Sequence, residues 1–479
     1  MAEITVVGLG PGESKYLTLE AWQVLESTSE VWLRTQRHPT VAQLPSHLVL
    51  HSFDTLYDGA GDFGEVYDAI VAEIVRLSQR PGGVVYAVPG HPMVGEATVQ
   101  RILSEAKRRQ LRVRIVEGLS FVEPVLTALG LDALSGLQVV DAIEVATRFH
   151  PPLNPDMPAL IGQLHSRSLA ADVKLTLMNQ YGDEFDVVLV HAAGTEEQRV
   201  DWMPLYEIDH DERIAHLTSL FVPALQIPGS FETLQDTVAH LRAPSGCPWD
   251  REQTHESLRA SLLEETYETL AAIDSGDVVD LQEELGDLLL QIVLHAQIAT
   301  EDDDFHMDEV IAGIDSKLKH RHPHVWGDRP VADTGEVLQR WEQLKREEKG
   351  SDRSVLDGVP MTLPALQQAH SYGQRAARVG FDWPDPSGVI AKIEEEIAEL
   401  QAALTEEDRV AELGDVLFAV VNWARWLEID PEVALREANA RFRKRFQRME
   451  TTARERSIDL ATLDIAQLEG LWQKAKRAS

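Results

Sequence analysis

The apolar positions change their rhythm once along this chain. Over residues 1–223, short apolar runs alternate with stretches of helical spacing. Ile4–Val7 reads as a strand closed by the turn Gly8-Leu9-Gly10-Pro11-Gly12, and a helix starts over Thr18–Leu25. Val84–Val88 reads as a second buried strand ending in Pro89-Gly90-His91-Pro92. Val113–Val116 reads as a third, ahead of Glu117-Gly118-Leu119-Ser120. Lys174–Met178, Val187–His191 and Ser219–Val222 read as later strands. Such alternation predicts an α/β fold whose ligands sit near the carboxyl ends of the strands. Pro228 and Gly229 interrupt the pattern, and Ser230 is placed to cap a helix beginning at Phe231. Beyond about residue 231 the strand signals stop. Leu, Ala, Glu, Gln and Arg dominate at helical spacing, which predicts an all-α region.

That helical region repeats itself. Adding 131 to Glu265 and Glu268 gives Glu396 and Glu399, and adding 131 to Trp341 and Lys345 gives Trp472 and Lys476. Between them the offset shrinks to 128, taking Glu284 to Glu412 and Asp287 to Asp415. The expected domains are therefore 1–223, 224–350 and 351–479. Gly286 and Gly414 recur inside E-L-G-D helical segments, where each costs about 1 kcal/mol against Ala. A glycine repeated at such a place predicts close helix approach.

Composition narrows the setting. A formal charge of −35 argues against non-specific binding to nucleic acid or to an anionic membrane. The single cysteine, Cys247, rules out an internal disulfide framework and fits a reducing compartment. No apolar run approaches the roughly 20 residues of a membrane span. With no basic leader at the N-terminus, a cytoplasmic location is expected.

Part of the acidity is organised. Residues three apart on a helix share a face, so Glu396 and Glu399 project together, as do Glu412 and Asp415 on the next helix. Antiparallel packing makes four carboxylates converge, and like charges at short range repel strongly. A divalent cation relieves that repulsion; hard oxygen donors without His or Cys suit Mg2+ or Mn2+. Glu265, Glu268, Glu284 and Asp287 offer the same set in the first copy. A third helix carries Lys317 and Arg321 in copy one, and Arg441 and Arg445 in copy two, each pair on one face and suited to phosphate. Trp472 is placed to cover a base. Glu395, beside the ligands, is a candidate to orient or deprotonate an attacking water.

Three N-terminal stretches, V-G-L-G-P-G, V-P-G-H-P-M-V-G-E-A-T and L-T-L-M-N-Q-Y, together resemble the tetrapyrrole (corrin/porphyrin) methylase family. That resemblance implies two α/β subdomains with S-adenosylmethionine in the cleft between them, near Pro89, Gly90 and His91, with Met178 across from them. His91 departs from the family, which usually has Asp in that loop. The C-terminal half is similar to the MazG family through Gly246-Cys247-Pro248-Trp249-Asp250, His322-Pro323-His324-Val325, Ser354–Pro360 and Ala377–Pro384. This resemblance implies four-helix units, a homodimer, and magnesium-dependent hydrolysis of nucleoside triphosphates to monophosphate and pyrophosphate. It implies Glu396, Glu399, Glu412 and Asp415 as metal ligands, with Arg441, Arg445 and Trp472 contacting nucleotide. The combination resembles YabN-type fusions. A methyltransferase with a regulatory helical half and a non-catalytic nucleotide sensor are the alternatives.

Overall fold

A computed structural model describes residues 3–57, 63–327, 330–331, 333–337, 340–341, 344 and 354–477. Lys345 lies outside the described residues. The chain divides into two units, Met1–Val310 and Ile311–Ser479.

The first unit opens with a five-stranded parallel sheet of order β3-β2-β4-β1-β5. Its strands are β1 (Glu3–Gly8), β2 (Glu30–Leu33), β3 (Val49–Ser52), β4 (Val84–Val88) and β5 (Arg112–Val116). Of the apolar runs read from the sequence, Ile4–Val7 and Val84–Val88 lie in inner strands and Val113–Val116 in the edge strand β5; helices on both faces bury Ile4, Val6, Val7, Tyr86 and Val88. The turns that end β1, β4 and β5 pack onto one another. Gly90 N donates to Gly10 O at 2.8 Å, and Gly10 N donates back to Gly90 O at 3.3 Å. A Cβ on Gly118 would lie 2.5 Å from Gly90 O, so this junction admits only glycine there.

A second sheet follows, of order β6-β7-β10-β8-β9, mixed in direction. It comprises β6 (Gln138–Asp141), β7 (Ala159–Gly162), β8 (Asp186–His191), β9 (Arg199–Pro204) and β10 (Thr218–Val222). Lys174–Met178 is not a strand. It ends the helix Arg167–Leu177, capped by Ser166, whose hydroxyl accepts from Leu169 N at 3.2 Å. Ala170, Val173 and Leu177 are its buried positions, spaced three and four apart; the Leu-Thr-Leu alternation hid this longer period.

Asp156 ties the α/β part to the first C-terminal helix. It accepts from Gly229 N at 2.7 Å, Ser230 N at 3.1 Å and the Thr233 hydroxyl. Ser230 caps that helix, Phe231–Arg242, as its position predicts. Beyond Val222 the described residues contain helices and no strand. In this unit, the helices Arg259–Ser275 and Val278–Glu301 form a hairpin, with Val238, Leu258, Val293 and Leu294 in a shared core.

The second unit is helical. Pro386–Ala402 and Glu406–Trp426 form its central hairpin, and Ala365–Arg378 packs on the latter. Pro431–Glu455 packs chiefly with Ile465–Arg477.

Candidate functional site

The acidic clusters are set by caps and short connections. Asp385 caps the helix Pro386–Ala402, accepting from Ser387 N at 2.9 Å, with proline favourable in the first turn. Thr405 caps Glu406–Trp426, accepting from Asp408 N at 3.1 Å. The brief link between them enforces an antiparallel pair. One oxygen each from Glu396, Glu399 and Glu412 then lies within 4.8 Å of the others. Burial, followed by the charges of Glu399, Glu396 and Asp415, pushes the Glu412 carboxyl above its ordinary range.

The first copy reproduces this arrangement with Glu265, Glu268 and Glu284, again within 4.8 Å. Burial and then the charges of Asp287, Glu268 and Glu284 raise the Glu265 carboxyl. Glu284 is raised as well, chiefly by burial, and one of its oxygens is buried without a hydrogen-bond partner. Asp287 and Asp415 thus act on the clusters electrostatically from the next turn. Carboxylates crowded against their own repulsion, with an orphaned oxygen and no His or Cys among them, fit a hard divalent cation.

Gly286 and Gly414 do not mark a close helix approach. A Cβ at either position meets nothing within 4 Å, because both look away from the helix they were expected to touch.

One residue at the site escaped the sequence reading. Lys392 Nζ lies 2.7 Å from Glu396 and 2.9 Å from Glu395, and these two hydrogen bonds hold it protonated. Its position four residues before Glu396 was the available signal. The corresponding residue in copy one is Ser261. Glu395 is exposed and engaged by that lysine.

The expected cations lie on other elements. Arg441 pairs with Glu437 on its own helix at 3.1 Å, and Arg445 is half-buried on the same helix. Trp472 packs against Phe442, with ring centroids 5.1 Å apart, in the hairpin closed by the Ile465–Arg477 helix. In copy one Lys317 is exposed, and the Arg321 guanidinium lies 5.4 Å from the centre of the Trp341 ring.

The α/β part holds a cleft of about 560 Å³ between its two sheets, lined by Pro89, Gly90 and His91 from the β4 turn. His91 Nδ1 accepts from Met93 N at 3.0 Å, a turn-closing role an Asp carboxylate also fills. Met178 is not among the residues lining this cleft; it is the C-cap of the helix Arg167–Leu177 and is exposed. Residues from the ends of β2 and β4 supply what the sequence did not reveal. The Arg34 guanidinium pairs with Glu96 and donates to the Tyr57 hydroxyl oxygen at 3.2 Å, and His38 is buried in the wall of the same cleft. Burial pushes the His38 imidazole down to about 4. Elsewhere His191, Asp201 and Asp211 gather at the end of β8, where Arg213 contacts both aspartates at 3.0 and 2.6 Å.

The two halves match two family models. Residues 3–209 match the tetrapyrrole (corrin/porphyrin) methylases, and residues 253–326 match the MazG nucleotide pyrophosphohydrolase domain. The chain belongs to the MazG family, in the fused form that carries a tetrapyrrole methylase-like domain ahead of the helical half. The uncharacterized protein YabN of Bacillus subtilis is 40% identical over 99% of this chain and 98% of its own length. The nucleoside triphosphate pyrophosphohydrolase/pyrophosphatase MazG of Thermotoga maritima is 46% identical over 51% of this chain and 95% of its own length. The nucleoside triphosphate pyrophosphohydrolase of Escherichia coli is 42% identical over 51% of this chain and 97% of its own length.

Proposed function

We propose that the chain hydrolyses nucleoside triphosphates to monophosphate and pyrophosphate, with Mg2+ or Mn2+ held by Glu396, Glu399, Glu412 and Asp415. The observation that carries this reading is the convergence of three carboxylates from two antiparallel helices, present in both copies. The names of the Thermotoga maritima and Escherichia coli relatives support the same reaction.

The reaction breaks the bond between the α phosphorus and the bridging oxygen to the β phosphorus. Water supplies the new oxygen on the monophosphate, and its proton passes to solvent or to the leaving pyrophosphate. Glu396, Glu399 and Glu412 would hold a divalent ion, which would supply Lewis-acid chemistry to the phosphate chain and to water. Glu396, Glu399 and Glu412 fix the donor positions before substrate arrives, so little reorganisation is needed at reaction. Glu395 is positioned beside them to orient the water, and Lys392 supplies positive charge at the same edge. Arg441 and Arg445 would neutralise charge on the pyrophosphate.

A homodimer is part of this proposal. Val410, Leu413, Leu417 and Val420 recur at helical spacing on Glu406–Trp426 and are all exposed, as are Leu285, Leu289 and Ile292 in copy one. Exposed apolar stripes of this kind favour burial against a partner. S-Adenosylmethionine in the α/β cleft, at Pro89, Gly90 and His91, is the second reading, supported by the cleft's position at the strand ends.

The test is pyrophosphate release from mixed nucleoside triphosphates with magnesium, alongside methyl transfer from S-adenosylmethionine. Release abolished by Asp415→Ala supports the hydrolase. Binding without turnover identifies a sensor, and methyl transfer without pyrophosphate identifies a methyltransferase.

A further inference from the structure

The end of β8 gathers three groups that belong neither to the acidic hairpins nor to the lining of the α/β cleft. His191 closes β8, Asp201 lies on β9, and Asp211 follows the short helical turn Leu205–His210. One ligand-type atom from each lies within 4.8 Å of the others. His191 is only 5% exposed, and its Nε2 is buried without a hydrogen-bond partner. That nitrogen stands 3.4 Å from Asp211 Oδ2 and 3.9 Å from Asp201 Oδ2. Donors bonded at about 2.1 Å to one tetrahedral ion stand about 3.4 Å from each other, so this spacing suits ligands that share an ion. The Thr218 hydroxyl oxygen lies 3.1 Å from His191 Nδ1. With Nδ1–H donated there, the Nε2 lone pair faces both carboxylates, the way a metal-ligating imidazole is held.

We propose that His191, Asp201 and Asp211 form a site for a divalent transition-metal ion, Zn2+ by the chemistry of its ligands. One imidazole nitrogen with two carboxylates suits zinc, whereas the all-oxygen helical clusters suit Mg2+ or Mn2+. In this structure Arg213 supplies the positive charge: Nη1 lies 3.0 Å from Asp201 Oδ2, and Nη2 lies 2.6 Å from Asp211 Oδ2. A guanidinium carries donors only, so it neutralises the aspartates and offers the imidazole lone pair nothing. An ion satisfies all three groups at once. The Arg213 side chain is 44% exposed and can turn out to solvent as the ion enters. Asp211 stays oriented, because Arg213 N donates to its Oδ1 at 2.8 Å. A cavity of about 670 Å³ opens onto His191 and Arg213 and provides the way in. His216, Leu217 and Thr218 line both that cavity and the 560 Å³ cleft. An ion beside Thr218 therefore stiffens a wall that the two spaces share.

The experiment uses the full chain, purified without a histidine tag, with Mg2+ saturating the helical clusters while zinc binding is followed by calorimetry. His191→Leu should weaken the tightest zinc site more than about 100-fold, and so should Asp201→Asn on the edge strand β9. Arg213→Met removes the competing cation and should tighten zinc about fivefold. Zinc should also slow hydrogen exchange of residues 211–218 in the unmodified chain and leave it unchanged in His191→Leu. If His191→Leu loses the protection of β8 without zinc, Asp201→Asn decides, since that side chain is 32% exposed and outside the core. Equal zinc affinity in the unmodified chain and the folded ligand variants overturns the site. Unchanged exchange of residues 211–218 at saturating zinc overturns it too, because the ion then sits elsewhere.

Discussion

Glu96→Gln removes the anion from a buried pair and leaves the Arg34 guanidinium uncompensated in the cleft wall. Both side chains are well shielded, at 4% exposure for Glu96 and 18% for Arg34. Burial pushes the Glu96 carboxyl up even beside its arginine, so the pair is held by geometry against a desolvation cost. Removing one member of such a pair costs about 3–5 kcal/mol. Arg34 keeps the Tyr57 hydroxyl at 3.2 Å and stands over Tyr67 at 5.5 Å, which places the loss at the low end, about 3 kcal/mol. With a urea m-value of about 2–3 kcal/mol/M, the midpoint should fall by about 1 M. The two-unit chain calls for a local probe, so hydrogen exchange of peptides spanning β1 and β4 is followed through the urea series. Arg34→Met should cost less, because the stranded carboxyl can take up a proton. The double variant Arg34→Met/Glu96→Leu should recover much of the loss, since an apolar pair of similar volume is often neutral. Strictly additive losses in the double variant would refute the coupling, and a shift below about 0.3 M in Glu96→Gln would refute the burial argument.

Four further outcomes follow from the same contacts. Glu396→Gln and Asp415→Asn should each lower pyrophosphate release more than about 100-fold, while Glu265→Gln leaves most of it, as initial rates will show. Lys392→Met frees Glu396 from its ion pair, so Mn2+ should bind more tightly in calorimetry while KM for nucleotide rises about tenfold. Asp156→Asn should flatten the acid sensitivity of the junction between the α/β part and the Phe231–Arg242 helix. Hydroxyl and amide donors hold the Asp156 carboxyl well below its ordinary range. Its contribution is therefore present above about pH 4 and lost as pH falls below that, measured by exchange of residues 229–242. His38 is held neutral with its pKa down to about 4, so the α/β domain should lose stability as pH drops from about 6.5 towards 4. His38→Asn should remove that dependence in thermal melts at pH 7 and 4.5.

The sequence carried the parts of this protein that depend on period and spacing. Buried parallel strands such as Val84–Val88 are continuous apolar runs, and caps such as Ser230 are local chemistry, so both were legible. The acidic clusters were legible because a hairpin of two helices converts residue spacing directly into a shared face. Lys174–Met178 misled because the five residues Lys-Leu-Thr-Leu-Met cannot distinguish a strand from the end of a helix. Met178 was therefore assigned to a cleft it does not reach. Arg34 and His38 follow β2 and Glu96 follows β4, and no local pattern announces that the sheet brings them to one cleft. Gly286 and Gly414 misled for the opposite reason: the repeat is real, but the open space beside each glycine is visible only in three dimensions.

Duplication preserved the acidic clusters but not their surroundings, and that difference separates the copies. Applying the same offsets, Lys392 corresponds to Ser261, Gly388 to Ser257, Phe418 to Leu290 and Asn422 to Leu294. Leu290 and Leu294 pack with Val238 and Leu258 under the Phe231–Arg242 helix, whereas Phe418 and Asn422 border a cavity beside the Ala365–Arg378 helix. Trp383 stands three residues after Gly380 as Trp249 stands three after Gly246, so both copies keep a tryptophan there. Copy one therefore retains ion-type ligands with a serine, Ser261, where copy two has Lys392. A cation there would meet phosphate oxygens without the positive charge that Lys392 sets beside Glu396 in copy two. The helix that joins the α/β part to the first copy spends its apolar face on that copy's core. In copy two the aromatic residues Phe418 and Phe381 remain exposed around the cavity. Catalysis by the second hairpin, with the first serving the fold, is what these two packings together favour.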